Sequence, residues 1–216
     1  MLPIISIVGK SKSGKTTLLE SLISNLKQRD YKVAVIKHSG GDFEPDQAGK
    51  DSWRFSQAGS EVSAISSANK MAAFKNLDHD LNPQELATFI GDGYDLILTE
   101  GFKRSNHPKI EVHRREQGKE LVSTPQQLLA VVTDEPLDVN VPQFSINETA
   151  KIADLIENML LVQNNEDDID LFINNNYIPV NQPTRDLLHR TLMAMTSGLK
   201  GTREINSLRI SLRRKI

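Results

Sequence analysis

The 216-residue chain contains no cysteine, which excludes disulfides, thiolate metal sites and cysteine nucleophiles. It also lacks a charge of one sign: 26 Lys and Arg stand against 28 Asp and Glu, for a net charge of −2. No general electrostatic footprint for nucleic acid or an anionic membrane follows from such a balance. Long hydrophobic runs are missing too, and nothing approaches the length needed to cross a bilayer. The short apolar stretch Met1 to Val8 has no basic leader and runs straight into a glycine-rich turn. It is expected to be a first strand rather than a signal peptide, and the protein to be cytoplasmic, with no membrane and no nucleic acid among its partners. Charge gathers only in the last thirty or so residues, where Arg185, Arg190, Lys200, Arg203, Arg209, Arg213, Arg214 and Lys215 make a basic stretch that reads as solvated surface.

What is present is an alternation of short β-branched runs and amphipathic stretches. Ile4 to Val8 reads as a buried strand ended by Gly9, and Lys15 to Arg29 as a helix with Leu18, Leu19, Leu22, Ile23 and Leu26 at helical spacing. Val33 to Ile36 follows as a second strand, so the first thirty-odd residues form a βαβ unit and imply a parallel sheet. The stretch from His38 to Lys50 is a long loop, Ser52 to Ala58 a helix, and Val62–Ile65 with Met71–Phe74 an antiparallel pair. Asn82 caps a helix that Pro83 opens. Asp95–Thr99, Ile110–His113 and Leu128–Thr133 are further strands, and Asn147 caps a helix through Leu160. The acidic stretch 163–170 reads as a linker. Beyond it come a hairpin (Leu171–Ile173 and Tyr177–Val180), a helix from Pro183 closing near Gly201, and a last strand, Ser207 to Leu212. The fold class expected is α/β: a P-loop NTPase-like, mostly parallel sheet flanked by helices over residues 1–162, with a small α+β unit over 171–216.

Gly9-Lys10-Ser11-Lys12-Ser13-Gly14-Lys15-Thr16 fits G-x-x-x-x-G-K-[ST] at every fixed position, with Thr17 following. Glycine lets such a loop curl until successive N–H groups face a phosphate, and the helix behind it aims its positive end at the same anion. Lys15 supplies charge to the β- and γ-phosphates, and the Thr16 hydroxyl is a ligand for Mg²⁺. A second metal acid is expected at the end of a neighbouring strand. Glu100 stands there, and Gly101 after it offers a backbone N–H to the γ-phosphate. Asp95, at the opposite end of that strand, reads as structural. In the loop after the second strand, Asp46 or Asp51 would hold a metal-bound water or order the loop, while Asp51-Ser52 equally serves as a helix cap. His38 has no second histidine at ligand spacing and stays unassigned. Asp134 ends a late strand at the same edge of the sheet, where it would accept from N1 and N2 of guanine or cap the turn before Pro136. An extra lysine at position 10 resembles deviant P-loops whose lysine reaches a partner's nucleotide. Ser11 and Lys12 replace the glycines of that class, so Lys10 is expected to face solvent. No catalytic base is evident, and hydrolysis should be slow unless Arg54 or Arg104 acts in trans. The alternative activity for this motif is an ATP-dependent small-molecule kinase, for which Lys103-Arg104 is the compact basic candidate; a third reading is an interaction module with a vestigial nucleotide site.

Four segments in order, VGKSKSGKTTLLESLI, VAVIKH, DQAGKDSWRFSQAG and DLILTEGFKRSNHPKIEVHR, resemble the molybdopterin-guanine dinucleotide biosynthesis protein B (MobB) family. Generic P-loop proteins lack G-K-D-S followed by E-G-F-K and P-K-I-E-V. The resemblance implies a GTP-binding accessory protein of molybdenum-cofactor maturation that works as a homodimer with Mg²⁺ and hydrolyses GTP weakly. By position it assigns phosphate and Mg²⁺ binding to Gly9, Gly14, Lys15 and Thr16, the Walker-B acid to Glu100, and a place near the metal to Asp46. The histidines usual after I-K-H in that family are replaced here by Ser39, Gly40 and Gly41.

Overall fold

The computed structural model describes residues 2–41, 46–91, 93–163, 169, 171–173, 176–178, 180–198 and 208. In chain order the elements are β1 (Ile4–Gly9), α1 (Lys15–Gln28), β2 (Val33–Lys37), α2 (Asp51–Gln57), β3 (Val62–Ser66), β4 (Met71–Lys75), α3 (Pro83–Ile90), β5 (Leu96–Glu100), β6 (Lys109–Val112), β7 (Leu128–Val132), β8 (Gln143–Phe144), α4 (Thr149–Gln163), β9 (Leu171–Ile173), β10 (Asn176–Ile178) and α5 (Gln182–Ser197). Short 3-10 helices occupy Arg115–Gln117 and Pro125–Gln127. The chain divides into two compact units, residues 2–160 and 161–216.

In the first unit six strands form a sheet of order β2-β5-β1-β6-β7-β8, and every pairing in it is parallel. A parallel sheet is covered on both faces, so its strands are nearly continuous apolar runs. Here β1 is buried at all six positions. Ile5, Ile7, Leu96, Leu98, Ile110 and Val132 face one side, against Leu18, Leu22 and Leu26 of α1 and Ile152 and Ile156 of α4. Arg29 and Tyr31 tie that layer together through Glu157, at 2.7 and 3.1 Å. On the other side Ile4, Ala34, Ile36, Ile97 and Phe102 pack with Leu86, Ala87 and Ile90 of α3. Helix α3 starts with a complete capping box between Asn82 and Glu85 and has proline in its first turn, as its sequence predicts. The β3–β4 pair is antiparallel as expected. Asp95 is structural: it accepts the Lys32 N–H at 2.6 Å.

Several expectations are corrected. Strand β6 starts one residue earlier than expected, at Lys109, and carries two charged residues, Lys109 and Glu111, that are both buried. Lys109 Nζ donates to the carbonyls of Ser105 and His107, and burial lowers its pKa. The Glu111 carboxylate accepts the N–H groups of Val122 and Ser123 at 2.7 and 2.9 Å. These polar pairs pin the two loops that flank β6, because a buried charge is tolerated only when it is bonded. Glu111→Gln should therefore present an amide NH₂ to two N–H donors and cost about 2 kcal/mol of stability, measurable as a lower urea midpoint with unchanged slope; an unchanged midpoint contradicts this role. Helix α4 begins at Thr149, so Glu148 rather than Asn147 precedes it, its carbonyl accepting from Ile152 at 3.2 Å. Strand β8 is an addition, a two-residue edge paired through Val131 and Val132.

In the second unit β9 and β10 pair antiparallel. The Asn181 side chain accepts from Thr184 N–H at 3.0 Å to cap α5, whose C-cap is Gly198. Helix α5 thus stops at Ser197, short of the closure expected near Gly201; the turn at 174–175 and the strand expected at 207–212 fall outside the described residues, apart from Leu208, which is exposed.

Candidate functional site

In a parallel sheet ligands gather beyond the carboxyl ends of the strands, where neighbouring crossovers diverge. Here that place lies beyond Gly9 of β1, with Glu100 of β5 on one side and Val112 of β6 on the other. Ile7 is in register with Glu100, and Gly9 with Val112. The chain turns sharply from β1 into α1 by way of left-handed φ values at Lys12 (62°) and Gly14 (97°). Gly14 is the N-cap of α1, with no side-chain cap and no acid in the first turn. None of the backbone N–H groups from Ser11 to Thr17 finds an acceptor among the described residues. Ser13 is buried inside the curl with a hydroxyl that likewise has none. A run of unpaired amides at the positive end of a helix of 14 residues has the form of an anion cradle.

The side chains around it carry the complementary charges. Lys15 Nζ rests on the Lys10 carbonyl at 2.7 Å. Its pKa is lowered, chiefly by burial; Glu100 opposes that shift, and Lys103 and Lys37 add to it. Thr16 Oγ1 lies 3.3 and 3.2 Å from the two oxygens of Glu100, and Lys37 Nζ is 3.6 Å from Glu100 Oε2. The hydroxyl and the carboxylate expected to share a metal are thus in contact, although 84 residues apart in the chain. Both are hard oxygen donors. Mg²⁺ takes one or two protein ligands and completes its shell with phosphate and water, so this pair fits it. Among the described residues no group of three or more His, Asp or Glu forms a denser cation site. Thr17, one position further into α1, is exposed.

Other expected site residues are placed differently. Asp46 does not contact Thr16 or Glu100. Its Oδ1 accepts from Ser52 Oγ at 2.9 Å, its Oδ2 is buried with no partner among the described residues, and it lines a separate groove of about 660 Å³ with Lys50, Phe55 and Ile65. Asp51 is not the helix cap: Lys50 is the N-cap of α2, and Asp51, in its first turn, pairs with Arg54 at 3.6 Å. The Gly101 N–H already donates to the Ile7 carbonyl at 3.1 Å, so giving it to a phosphate would break a sheet bond. Gly101 is instead needed for its shape, since at φ 106° a Cβ there would press on His38. His38 stacks on Phe102, with ring centroids 4.5 Å apart, and its Nε2 meets Asp80 at 3.1 Å. Lys10 does not face solvent: its Nζ donates to the Gln117 carbonyl at 2.5 Å. Asp134 does stand at the cradle's edge of the sheet, following β7. Its Oδ1 accepts the Arg115 N–H at 2.9 Å, the main cause of its lowered pKa, and its Oδ2 is 3.9 Å from Arg114 Nη1.

Arg114 and Gln117, which the motif does not include, touch the cradle from outside: Arg114 Nε donates to the Ser13 carbonyl at 2.9 Å and Gln117 Nε2 to the Ser11 carbonyl at 2.7 Å. The signal for them is positional only, a polar stretch leaving a strand at the phosphate edge.

Comparison with known proteins shows the family. Residues 4–134 match the family model described as molybdopterin guanine dinucleotide synthesis protein B, MobB. The chain is 41% identical over 160 residues, 74% of its length, to the molybdopterin-guanine dinucleotide biosynthesis adapter protein of Haemophilus influenzae, covering 90% of that protein. With the Escherichia coli adapter protein it shares 34% identity over 76% of its length and 97% of the relative's. The crystal structure of Bacillus subtilis MobB superposes with a TM-score of 0.60 at 27% identity, covering 73% of this chain and 97% of that one. On the family match and the adapter-protein relatives together, the chain belongs to the MobB family.

Proposed function

We propose that the protein is a GTP-binding adapter of molybdopterin-guanine dinucleotide biosynthesis. The observation that carries the nucleotide part of this reading is the contact between the Thr16 hydroxyl and the Glu100 carboxylate beside a run of unpaired amides. In this reading the amides of residues 9–17 and Lys15 hold the phosphates, and Thr16 and Glu100 hold Mg²⁺. The metal would neutralise phosphate charge; the chain's own residues bind and orient. Slow hydrolysis fits the same groups, because Lys15 and Thr16 contact no second acid or base beyond Glu100 among the described residues. The adapter role rests on the relatives, which are adapter proteins of this pathway. Partner proteins of molybdenum-cofactor maturation and a second copy of this chain are the expected company. Val62, Ile65 and Met71 on the β3–β4 hairpin support an interface, since all three are exposed. Among the described residues no helix is long and apolar enough to cross a membrane.

Guanine rather than adenine is tested by calorimetric titration of the full chain with GTP and ATP in Mg²⁺. GTP should bind at least about tenfold more tightly, the discrimination that one or two buried base hydrogen bonds supply. Tighter binding of ATP, with phosphate transfer to an added small molecule, would instead identify a kinase.

A further inference from the structure

Two carbonyls of the cradle, those of Ser11 and Ser13, are held from outside by one short segment. Gln117 Nε2 takes the Ser11 carbonyl at 2.7 Å and Arg114 Nε the Ser13 carbonyl at 2.9 Å. The Gln117 carbonyl receives Lys10 Nζ at 2.5 Å. In a trans peptide the C=O of one residue and the N–H of the next point in opposite directions. Holding the carbonyls of Ser11 and Ser13 from outside therefore aims the N–H groups of Lys12 and Gly14 at the concave side. Those two residues are the ones with left-handed φ, the alternation that builds an anion nest.

We propose that Arg114 and Gln117 are positioning residues for phosphate: they fix the direction of the P-loop amides before any ligand arrives, and Asp134 anchors them. The inference rests on the phosphate-binding reading above and goes beyond it, because neither side chain belongs to the nucleotide motif. Asp134 holds the segment from the far side, through the Arg115 N–H at 2.9 Å and Arg114 Nη1 at 3.9 Å. Arg114 is in turn confined beside the loop, with Nη2 3.1 Å from where a Cβ on Gly14 would stand. Donors oriented in advance need no reorganisation when the anion binds, and that is where the gain in affinity arises.

The test uses inorganic tripolyphosphate with Mg²⁺, a probe without a base, titrated calorimetrically against the full chain. Gln117→Ala changes no charge and removes only the grip on Ser11. It should weaken tripolyphosphate about fivefold while leaving the melting temperature of the ligand-free protein in place. Arg114→Ala should weaken it about tenfold or more, and Arg114→Lys, which keeps the charge but not the fork, should stay several-fold weaker than wild type. Asp134→Asn should weaken tripolyphosphate and GTP by the same factor, because its effect passes through the segment. If Gln117→Ala or Arg114→Lys binds like wild type, the amides are not preset from outside and the proposal fails. If Asp134→Asn weakens GTP alone, Asp134 reads the base and is no anchor. Lys15→Ala separates the two levels. Tripolyphosphate binding that is absent in wild type, or indifferent to Lys15→Ala, removes the cradle and this inference together. Loss with Lys15→Ala but not with Gln117→Ala removes this inference alone.

Discussion

Replacing Gly9 with alanine is expected to cost at least about 3 kcal/mol of stability, as a backbone clash in a packed sheet does, and to abolish nucleotide binding with it. Gly9 is the last residue of β1, in register with Val112 on β6. Its φ of 143° is one that L side chains rarely adopt, and an added Cβ would overlap the Val112 carbonyl and stand 2.9 Å from Ser13 Oγ. The carbonyl cannot yield. Val112 is buried in the core, and the next N–H, of His113, is bonded to Val132 at 2.8 Å. Relief must come from the backbone of the cradle or from the strand pairing, and either change displaces the amides. At roughly 3 °C per kcal/mol for a domain of this size, thermal unfolding should start about 10 °C lower. Gly14→Ala is the contrast. Its neighbours would be Arg114 Nη2 at 3.1 Å and Ile146 Cδ1 at 3.4 Å, both ends of flexible side chains, which leaves the strain of φ 97° as the main cost. That variant should lose about 1–2 kcal/mol. Equal melting temperatures for the two variants would contradict this account of Gly9.

The parts of this molecule legible in the sequence are those whose cause is local. Ile4 to Val8, the glycine turn and the leucines of α1 each carry their own pattern, and a βαβ unit with a right-handed crossover leaves little freedom in how they assemble. The Thr16–Glu100 contact was legible at one remove, since parallel strands that end in a hydroxyl-bearing turn and an acid must deliver both to one edge. What escaped depends on long-range pairing. Lys109 and Glu111 are charged residues in a strand, and only the loops folded over β6 make them buried and bonded. Gln143-Phe144 has no periodicity of its own and is a strand only because β7 presents an edge to it. Arg114 and Gln117 meet the P-loop across 101 and 106 residues of sequence, and in the stretch HRREQGKE they read as turn residues. Lys10 faces inward for the same reason, because its acceptor, the Gln117 carbonyl, belongs to that turn.

Lys15→Ala should weaken Mg-GTP and tripolyphosphate at least about hundredfold, since a charge-assisted contact to phosphate is lost and the field of a nearby acid, Glu100, is less offset. In the ligand-free protein the amine rests on the Lys10 carbonyl at 2.7 Å, a single partly buried bond worth about 1 kcal/mol. The variant should therefore melt within a few degrees of wild type, which separates loss of binding from loss of fold. Removing the ammonium leaves Glu100 facing an incoming polyphosphate with Lys37, its ion-pair partner at 3.6 Å, to offset it. Like charges then oppose binding until a divalent cation is present, so the loss should be greater in EDTA than in Mg²⁺. Adding Glu100→Gln to Lys15→Ala removes that repulsion. The double variant should bind metal-free tripolyphosphate more tightly than Lys15→Ala alone, yet gain little from Mg²⁺, because the carboxylate that would share the ion with Thr16 is gone. The two substitutions are then non-additive in a direction fixed by electrostatics. If the double variant showed the full Mg²⁺ enhancement of wild type, Glu100 would not be the metal acid, and another carboxylate would have to supply it.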